Sequence, residues 1–295
     1  MVMLLIRARE LDIKLSAESG QPLTFFGEFG RDGSRDTLSY PVEDGYIRIY
    51  AESAPDTKIE YDFWGSISSK EARKDIYDRF SLGLDMKSVY ASINTDEFMD
   101  NAIKALRGMR ITRNQPWETA LCFTVSQFNN IKRIRGIISR LSERFGELRD
   151  VEGRRMYGVP SPDVLSDVPL RELRRCGTGF RDRYIRSVAR AFALNDSFPE
   201  LYRMPYDEAK SSLCAIDGIG DKVADCILLF GYGRVEAFPI DLWVKRVVER
   251  IYFGGRKQRI RMIHSFAEDR WGAVRGYAQQ YVFWHGRKMG IGKLD

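Results

Sequence analysis

The sequence predicts an α+β protein: an N-terminal antiparallel β-sheet domain followed by a larger, all-helical body. Three observations carry that expectation. Tyr46-Ile47-Arg48-Ile49-Tyr50 and Ile59-Glu60-Tyr61-Asp62-Phe63 vary with the two-residue period of a strand. Ile131, Ile134, Ile138, Leu141 and Phe145 recur at the three- and four-residue steps of a helix. Between two further helical stretches, Ile216-Asp217-Gly218-Ile219-Gly220 sets two glycines where the chain must double back.

In chain order, Glu18-Ser19-Gly20, Gly30-Arg31-Asp32-Gly33 and Glu43-Asp44-Gly45 are turn signals that punctuate the strands. Helical segments begin near Ser68. We therefore divide the chain into a sheet domain with trailing helices at 1–105 and a helical domain at 106–295. Pro116 suits the first turn of a helix, and Trp117–Gln127 follows without a breaker. Apolar stripes return at Ile185, Val188, Ala189 and Phe192, and again at Val244, Val247, Val248 and Ile251. Lys132, Arg133, Arg135, Arg140 and Arg144 line the opposite face of the first striped helix; Arg181, Arg183, Arg186 and Arg190 surround the second. Such basic faces fit a surface that tracks phosphates.

The composition of the 295 residues, 44% hydrophobic and 30% charged, excludes a disordered chain. A formal net charge of +6 favours a polyanionic partner. The apolar run Met1–Ile6 meets Arg7 at once, too early for a membrane helix or a signal peptide. The expectation is an intracellular monomer (cytoplasm and nucleoid, or nucleus) with no membrane partner. Cys122, Cys176, Cys214 and Cys226 form no CxxC pair, and His264 and His285 form no HExxH motif, so no metal site is expected.

The hairpin unit at 207–230 carries the most information. Its glycines and the following helix N-terminus present backbone amides to a phosphate oxygen, while Ile216 and Ile219 pack inward. Lys222 opens the second helix. Further on, Phe238-Pro239-Ile240-Asp241 precedes the Val244–Ile251 helix, which makes Asp241 an N-cap. A cap carboxylate at a pocket mouth can also stabilise positive charge on a sugar. Gln279 and Phe283 are four apart on one helix face, where an amide can read a base edge and a ring can stack on the base. Taken alone, that pair equally describes a surface amide and a core ring. Cys226, four residues beyond Lys222, can form an opposite wall.

At these residues the chain resembles the helix–hairpin–helix DNA glycosylases, whose Gly/Pro-rich loop and catalytic aspartate are similar to Gly231-Tyr232-Gly233 and Phe238-Pro239-Ile240-Asp241. The lysine marks their bifunctional members, which form a Schiff base. Within that superfamily the 8-oxoguanine DNA glycosylases with an N-terminal sheet domain are similar over nearly the whole chain. Ser19-Gly20-Gln21 resembles the loop whose glycine carbonyl accepts the N7–H of the oxidised base. Leu106–Arg110 through Pro116, with Asn129-Asn130-Ile131, resembles the stretch that enters the minor groove. Cys176-Gly177-Thr178-Gly179-Phe180-Arg181 resembles the wedge, and Lys222-Val223-Ala224-Asp225-Cys226 is a near-literal match. Tyr277-Ala278-Gln279 with Phe283 resembles the pocket helix.

The resemblance implies a set of roles. Lys222 is the nucleophile and Asp241 its carboxylate partner. The flipped base lies between Cys226 and Phe283, with Gln279 on its Watson–Crick edge and Gly20 at N7. Phe180 wedges into the duplex, and Phe128 or Asn129 fills the vacated position. Arg133 and Arg181 hydrogen-bond the estranged cytosine. The amides around Gly218 and Gly220 hold phosphate. Double-stranded DNA containing an oxidised purine is the partner, and no cofactor is required, although the family's hairpin can hold a monovalent cation on its carbonyls. Three positions depart from the family. Phe128 opens what is elsewhere an asparagine triplet, Phe180 replaces tyrosine, and Trp243 replaces histidine at a phosphate or sugar contact.

Two other readings compete. Glycosylases for oxidised pyrimidines or mismatched adenine share the superfamily, but many carry an iron–sulfur cluster on four cysteines after the catalytic region. No cysteine follows Cys226, which excludes such a cluster. A non-catalytic DNA-binding hairpin module is the other; Lys222 and Asp241 together argue against it.

Overall fold

The computed structural model describes residues 4–52, 54–194 and 198–291, without the side chains of 54–56. Residues 1–3 of the apolar opening run lie outside them. Five strands, β1 (Leu4–Leu11), β2 (Glu28–Asp32), β3 (Arg35–Val42), β4 (Gly45–Ala51) and β5 (Ala54–Gly65), form one antiparallel sheet in the order β1-β5-β4-β3-β2. The two alternating stretches pair with each other, Ile47 opposite Phe63 and Ile49 opposite Tyr61. Leu38, Tyr40, Ile47, Ile49, Ile59 and Tyr61 bury one face beneath Ala72, Ile76 and Phe80. Each fully buried Leu or Ile contributes roughly 1.5–3 kcal/mol. The covering helix, Ser69–Arg79, starts at a Ser68/Glu71 capping box.

Packing ties the last helices before residue 105 to the helical body. These are Met86–Ile93 and Glu97–Ala105. Their buried residues Met86, Val89, Ile93, Met99 and Ala102 belong to the main helical core, with Tyr277, Tyr281 and Val282 of the C-terminal helix Arg275–Lys288. Their amphipathic faces were legible, but an apolar stripe does not name its partner. A second helical core gathers Leu121, Val125, Ile134, Ile138, Leu141, Leu165, Leu173 and Ile185. Helix Pro116–Ser126 divides the two, giving Ala120 and Phe123 to one and Leu121 and Val125 to the other. Nor is the body all-helical: β6 (Leu148–Val151) and β7 (Arg154–Tyr157) form a small hairpin after helix Ile131–Phe145. Arg149 fastens it to the carbonyls of Val42, Glu43 and Gly45, with Arg48 and Glu152 paired at 2.7 Å.

Arg110, which belongs to the stretch that resembles a minor-groove segment, is buried. Its guanidinium donates to Glu10 O (2.9 Å), Ser81 O (2.6 Å) and Arg9 O (2.7 Å), joining sheet to body. Three backbone carbonyls satisfy a buried cation that would otherwise be costly. No helix among the described residues is long and apolar enough to cross a membrane.

Candidate active site

Helices Tyr206–Cys214 and Asp221–Phe230 flank the glycine hairpin as expected, and Ile216 and Ile219 both pack against the main core. The two glycines serve different ends. Gly218 has φ +99°, and a Cβ there would lie 2.6 Å from Tyr184 Cβ, so only glycine fits. Gly220 has an ordinary φ of −98° and open space around it. It caps its helix with no side-chain bond, which leaves the first-turn amides and the room beside them for a phosphate oxygen.

Lys222 leaves the first turn of that helix with its Nζ 4.6 Å from the centroid of the Phe123 ring. Phe123 is in turn stacked on Phe230 at 5.5 Å and met edge-on by Phe25 at 6.4 Å. Sequence reasoning missed this aromatic seat, because Phe123 sits in an apolar run with no charge or spacing to mark it. One turn on, burial pushes the Cys226 thiol up to about 12; Lys222 opposes this, whereas Asp225 and Asp241 reinforce it. Lys222 and Asp241 therefore both act on one buried sulfur. A thiol held neutral is a pocket wall and a poor nucleophile.

Asp241 is the N-cap the sequence predicted: its Oδ1 accepts from Val244 N at 2.7 Å at the start of helix Leu242–Tyr252. The loop before it is fixed from several sides. Phe238 is fully buried and stacks on Trp271 at 5.8 Å, and Gly276 N donates to Val235 O at 2.8 Å.

The sheet domain delivers Gly20 to this region. Gln21, fully buried, donates to Ser16 O (2.7 Å) and Arg110 O (2.9 Å) and accepts from Thr112 N (2.7 Å). From the pocket helix, Gln280 Nε2 donates to Ser19 O at 2.9 Å. Gly20, at φ +80°, then lies so close to Phe283 that a Cβ would stand 3.1 Å from the ring. Among the described residues nothing donates to the Gly20 carbonyl. Beside Phe283 on its helix, Gln279 is 5% exposed and its Oε1 has no hydrogen-bond partner. An unmet buried acceptor costs roughly 1–3 kcal/mol, a cost that a ligand donor removes. Gly20→Ala meets both a left-handed backbone and the Phe283 ring. Its expected effect is excision slowed roughly tenfold to a hundredfold in single-turnover assays, because the ring must shift. An unchanged rate would remove Gly20 from the pocket.

At the far end of the hairpin, Phe128 is 91% exposed in a left-handed conformation of φ +49°, and Phe180, 49% exposed, lies 6.4 Å from it between centroids. Asn129 folds back, donating to Val125 O at 3.1 Å. Arg181, expected at the estranged cytosine, is turned onto its own chain. It is 2% exposed and donates to Gln127 O (2.7 Å), Phe128 O (3.0 Å) and Thr178 O (3.2 Å), so here it supports the loop. Arg133 is exposed at the start of helix Ile131–Phe145, whose N-cap is Asn130. The basic faces are also partly spent: Arg140 donates to Cys176 O at 2.9 Å, and Arg144 pairs with Glu172. Trp243 lies under Arg287, whose guanidinium carbon is 5.2 Å from the ring centroid.

A glycine hairpin with free first-turn amides, a lysine and a carboxylate near one buried thiol, and exposed rings beside the hairpin are features suited to an enzyme that extracts a base from a duplex. Residues 121–272 match the HhH-GPD superfamily of base excision DNA repair proteins, and the chain belongs to that superfamily. Residues 3–120 match the N-terminal domain of 8-oxoguanine DNA glycosylases, which places the chain in that branch. A probable N-glycosylase/DNA lyase of Methanothermobacter thermautotrophicus is 30% identical over 76% of this chain and 78% of its own length. N-glycosylase/DNA lyase OGG1 of Arabidopsis thaliana is 28% identical over 89% of this chain and 76% of its own. Among solved structures, MBOgg1 in complex with a low affinity DNA ligand superposes with a TM-score of 0.88 at 31% identity, covering 98% of this chain and 97% of that one.

Proposed function

We propose that this protein flips 8-oxoguanine out of duplex DNA, excises it, and nicks the strand through a covalent intermediate on Lys222. Two observations carry the reading. The charges of Lys222 and Asp241 both bear on the Cys226 thiol, and Gly20 approaches Phe283, on the helix where Gln279 Oε1 has no partner. Membership of a glycosylase superfamily leaves the non-catalytic hairpin reading without support.

In this reading the hairpin amides grip phosphate while the base enters between Cys226 and Phe283. Oxidation gives the purine an N7–H, which donates to the Gly20 carbonyl. Guanine instead turns a lone pair towards that oxygen, at a cost of roughly 1–3 kcal/mol. As the C1′–N9 bond breaks, its electron pair leaves with the base, and the Lys222 amine forms a bond to C1′. The Asp241 carboxylate stabilises the positive charge that develops on the sugar. Ring opening gives the imine, and loss of a C2′ proton expels the 3′ phosphate. The Trp243 ring, braced by Arg287, replaces a hydrogen-bonding contact with a stacking one at the adjacent sugar-phosphate.

In this reading the protein works as a monomer, wherever the cell keeps its DNA. No step needs a metal. A monovalent cation at the hairpin would share Gly218 O with Gln127 Nε2, which already donates to it at 2.9 Å. Borohydride trapping on labelled duplexes tests the function. An adduct is expected with 8-oxoguanine opposite cytosine and none with plain guanine. Release of lesion base without an adduct would leave a glycosylase that does not use Lys222 covalently. Neither release nor adduct would sink the reading.

A further inference from the structure

The loop 127–130 presents the Phe128 ring to solvent, with Asn130 exposed beside it as the cap of the next helix. Phe128 holds a left-handed φ of +49°, a conformation that strains any residue with a bulky side chain. Its surroundings enforce it: Arg181 donates to the carbonyls of Gln127 and Phe128, and Gln127 Nε2 reaches Gly218 O on the hairpin at 2.9 Å. Phe180, the neighbouring ring, has Tyr184 edge-on at 6.3 Å and the Arg181 guanidinium 4.4 Å from its centroid. Strain maintained around a 91% exposed aromatic is a sign of use.

The polar groups near these rings are already engaged. Asn129 spends its amide on Val125 O at 3.1 Å and its Oδ1 on Asn130 N at 3.0 Å. Asn130 caps the next helix through Arg133 N at 3.0 Å. Arg181 spends both guanidinium edges on carbonyls. Arg133 alone of the expected base readers remains exposed.

Resting on the glycosylase reading, the geometry points to Phe128 as the residue that fills the vacated position, and to an excision that depends only weakly on which base stands opposite the lesion. A phenyl ring stacks on any base and hydrogen-bonds to none, so the intercalating pair Phe128 and Phe180 carries no base code. What preference exists comes from Arg133, worth about tenfold as a single hydrogen-bonding contact.

The test is single-turnover excision, at saturating enzyme, from four duplexes with 8-oxoguanine opposite cytosine, adenine, guanine or thymine. Rates are expected to agree within about tenfold. Phe128→Ala should slow all four by a similar factor, about 5- to 150-fold, the usual worth of one base–aromatic stack. Phe128→Trp should restore them, and Arg133→Ala should flatten what spread remains. The exposed side chain makes all the Phe128 variants safe to fold. A cytosine preference above tenfold in the parent protein overturns the proposal while leaving the glycosylase reading intact. So does a Phe128→Ala loss confined to the cytosine duplex, or no loss at all. Absence of excision from every duplex removes the glycosylase reading, and this proposal with it.

Discussion

Lys222→Gln abolishes borohydride trapping on the lesion duplex and lowers strand nicking by at least about a thousandfold, while the affinity for that duplex changes only a few-fold. The size of the loss follows from the chemistry: an amide nitrogen cannot attack C1′ or form an imine, and covalent catalysis ends with the amine. Binding survives because the contacts that hold DNA lie elsewhere, at the hairpin amides and the exposed rings. The fold survives because no ion pair among the described residues involves Lys222; its neighbours are the Phe123 ring at 4.6 Å and the Cys226 thiol. A cation–π contact of this kind is worth roughly 0.5–2 kcal/mol, so the thermal midpoint should fall by a few degrees at most. Electrophoretic mobility shift and trapping on the same samples separate the two effects. Trapping retained in the variant would move the nucleophile to another amine, and a collapse of DNA binding would make Lys222 a phosphate contact.

Asp241→Asn slows excision by roughly a hundredfold to a thousandfold with little change in stability. This substitution separates the cap that Asp241 forms from the electrostatic role proposed for the same side chain. As an N-cap, asparagine is as good as aspartate, so the 2.7 Å bond from Val244 N is kept. As a charge, asparagine supplies nothing to the developing cation on the sugar. Asp241→Ala is the companion variant: it should be as slow, and in addition less stable by about 1 kcal/mol, because the cap is gone. Single-turnover rates and thermal denaturation measured side by side decide the matter. Near-normal excision by Asp241→Asn would reduce the residue to a cap.

Much of the site could be read from local pattern. The hairpin glycines, Lys222 at a helix start and Asp241 as an N-cap depend on residues close in sequence, and local geometry follows local chemistry. The alternating stretches similarly revealed strands, and the spaced isoleucines a helix. What local pattern could not supply has a common cause. An amphipathic face, as in the helices at 86–105, says what it needs to bury and not where. An arginine looks alike in sequence whether its reach ends on a phosphate or on a carbonyl of its own chain, and Arg110 and Arg181 end on carbonyls here. The short β6–β7 hairpin, four residues a strand, was too brief for its period to show.

By itself, then, the sequence determined the two-part architecture, the glycine turn between two helices, and Lys222 and Asp241 at helix starts, since each is written within a few turns of chain. Only the tertiary structure decided that Gly20 meets Phe283 across a separation of 263 positions, that Phe123 lies under Lys222, and that Phe128 stands out in solvent while Asn129 turns back. Those contacts are set by how separate cores pack against one another, and that packing minimises exposed apolar surface over the whole molecule rather than over any one segment.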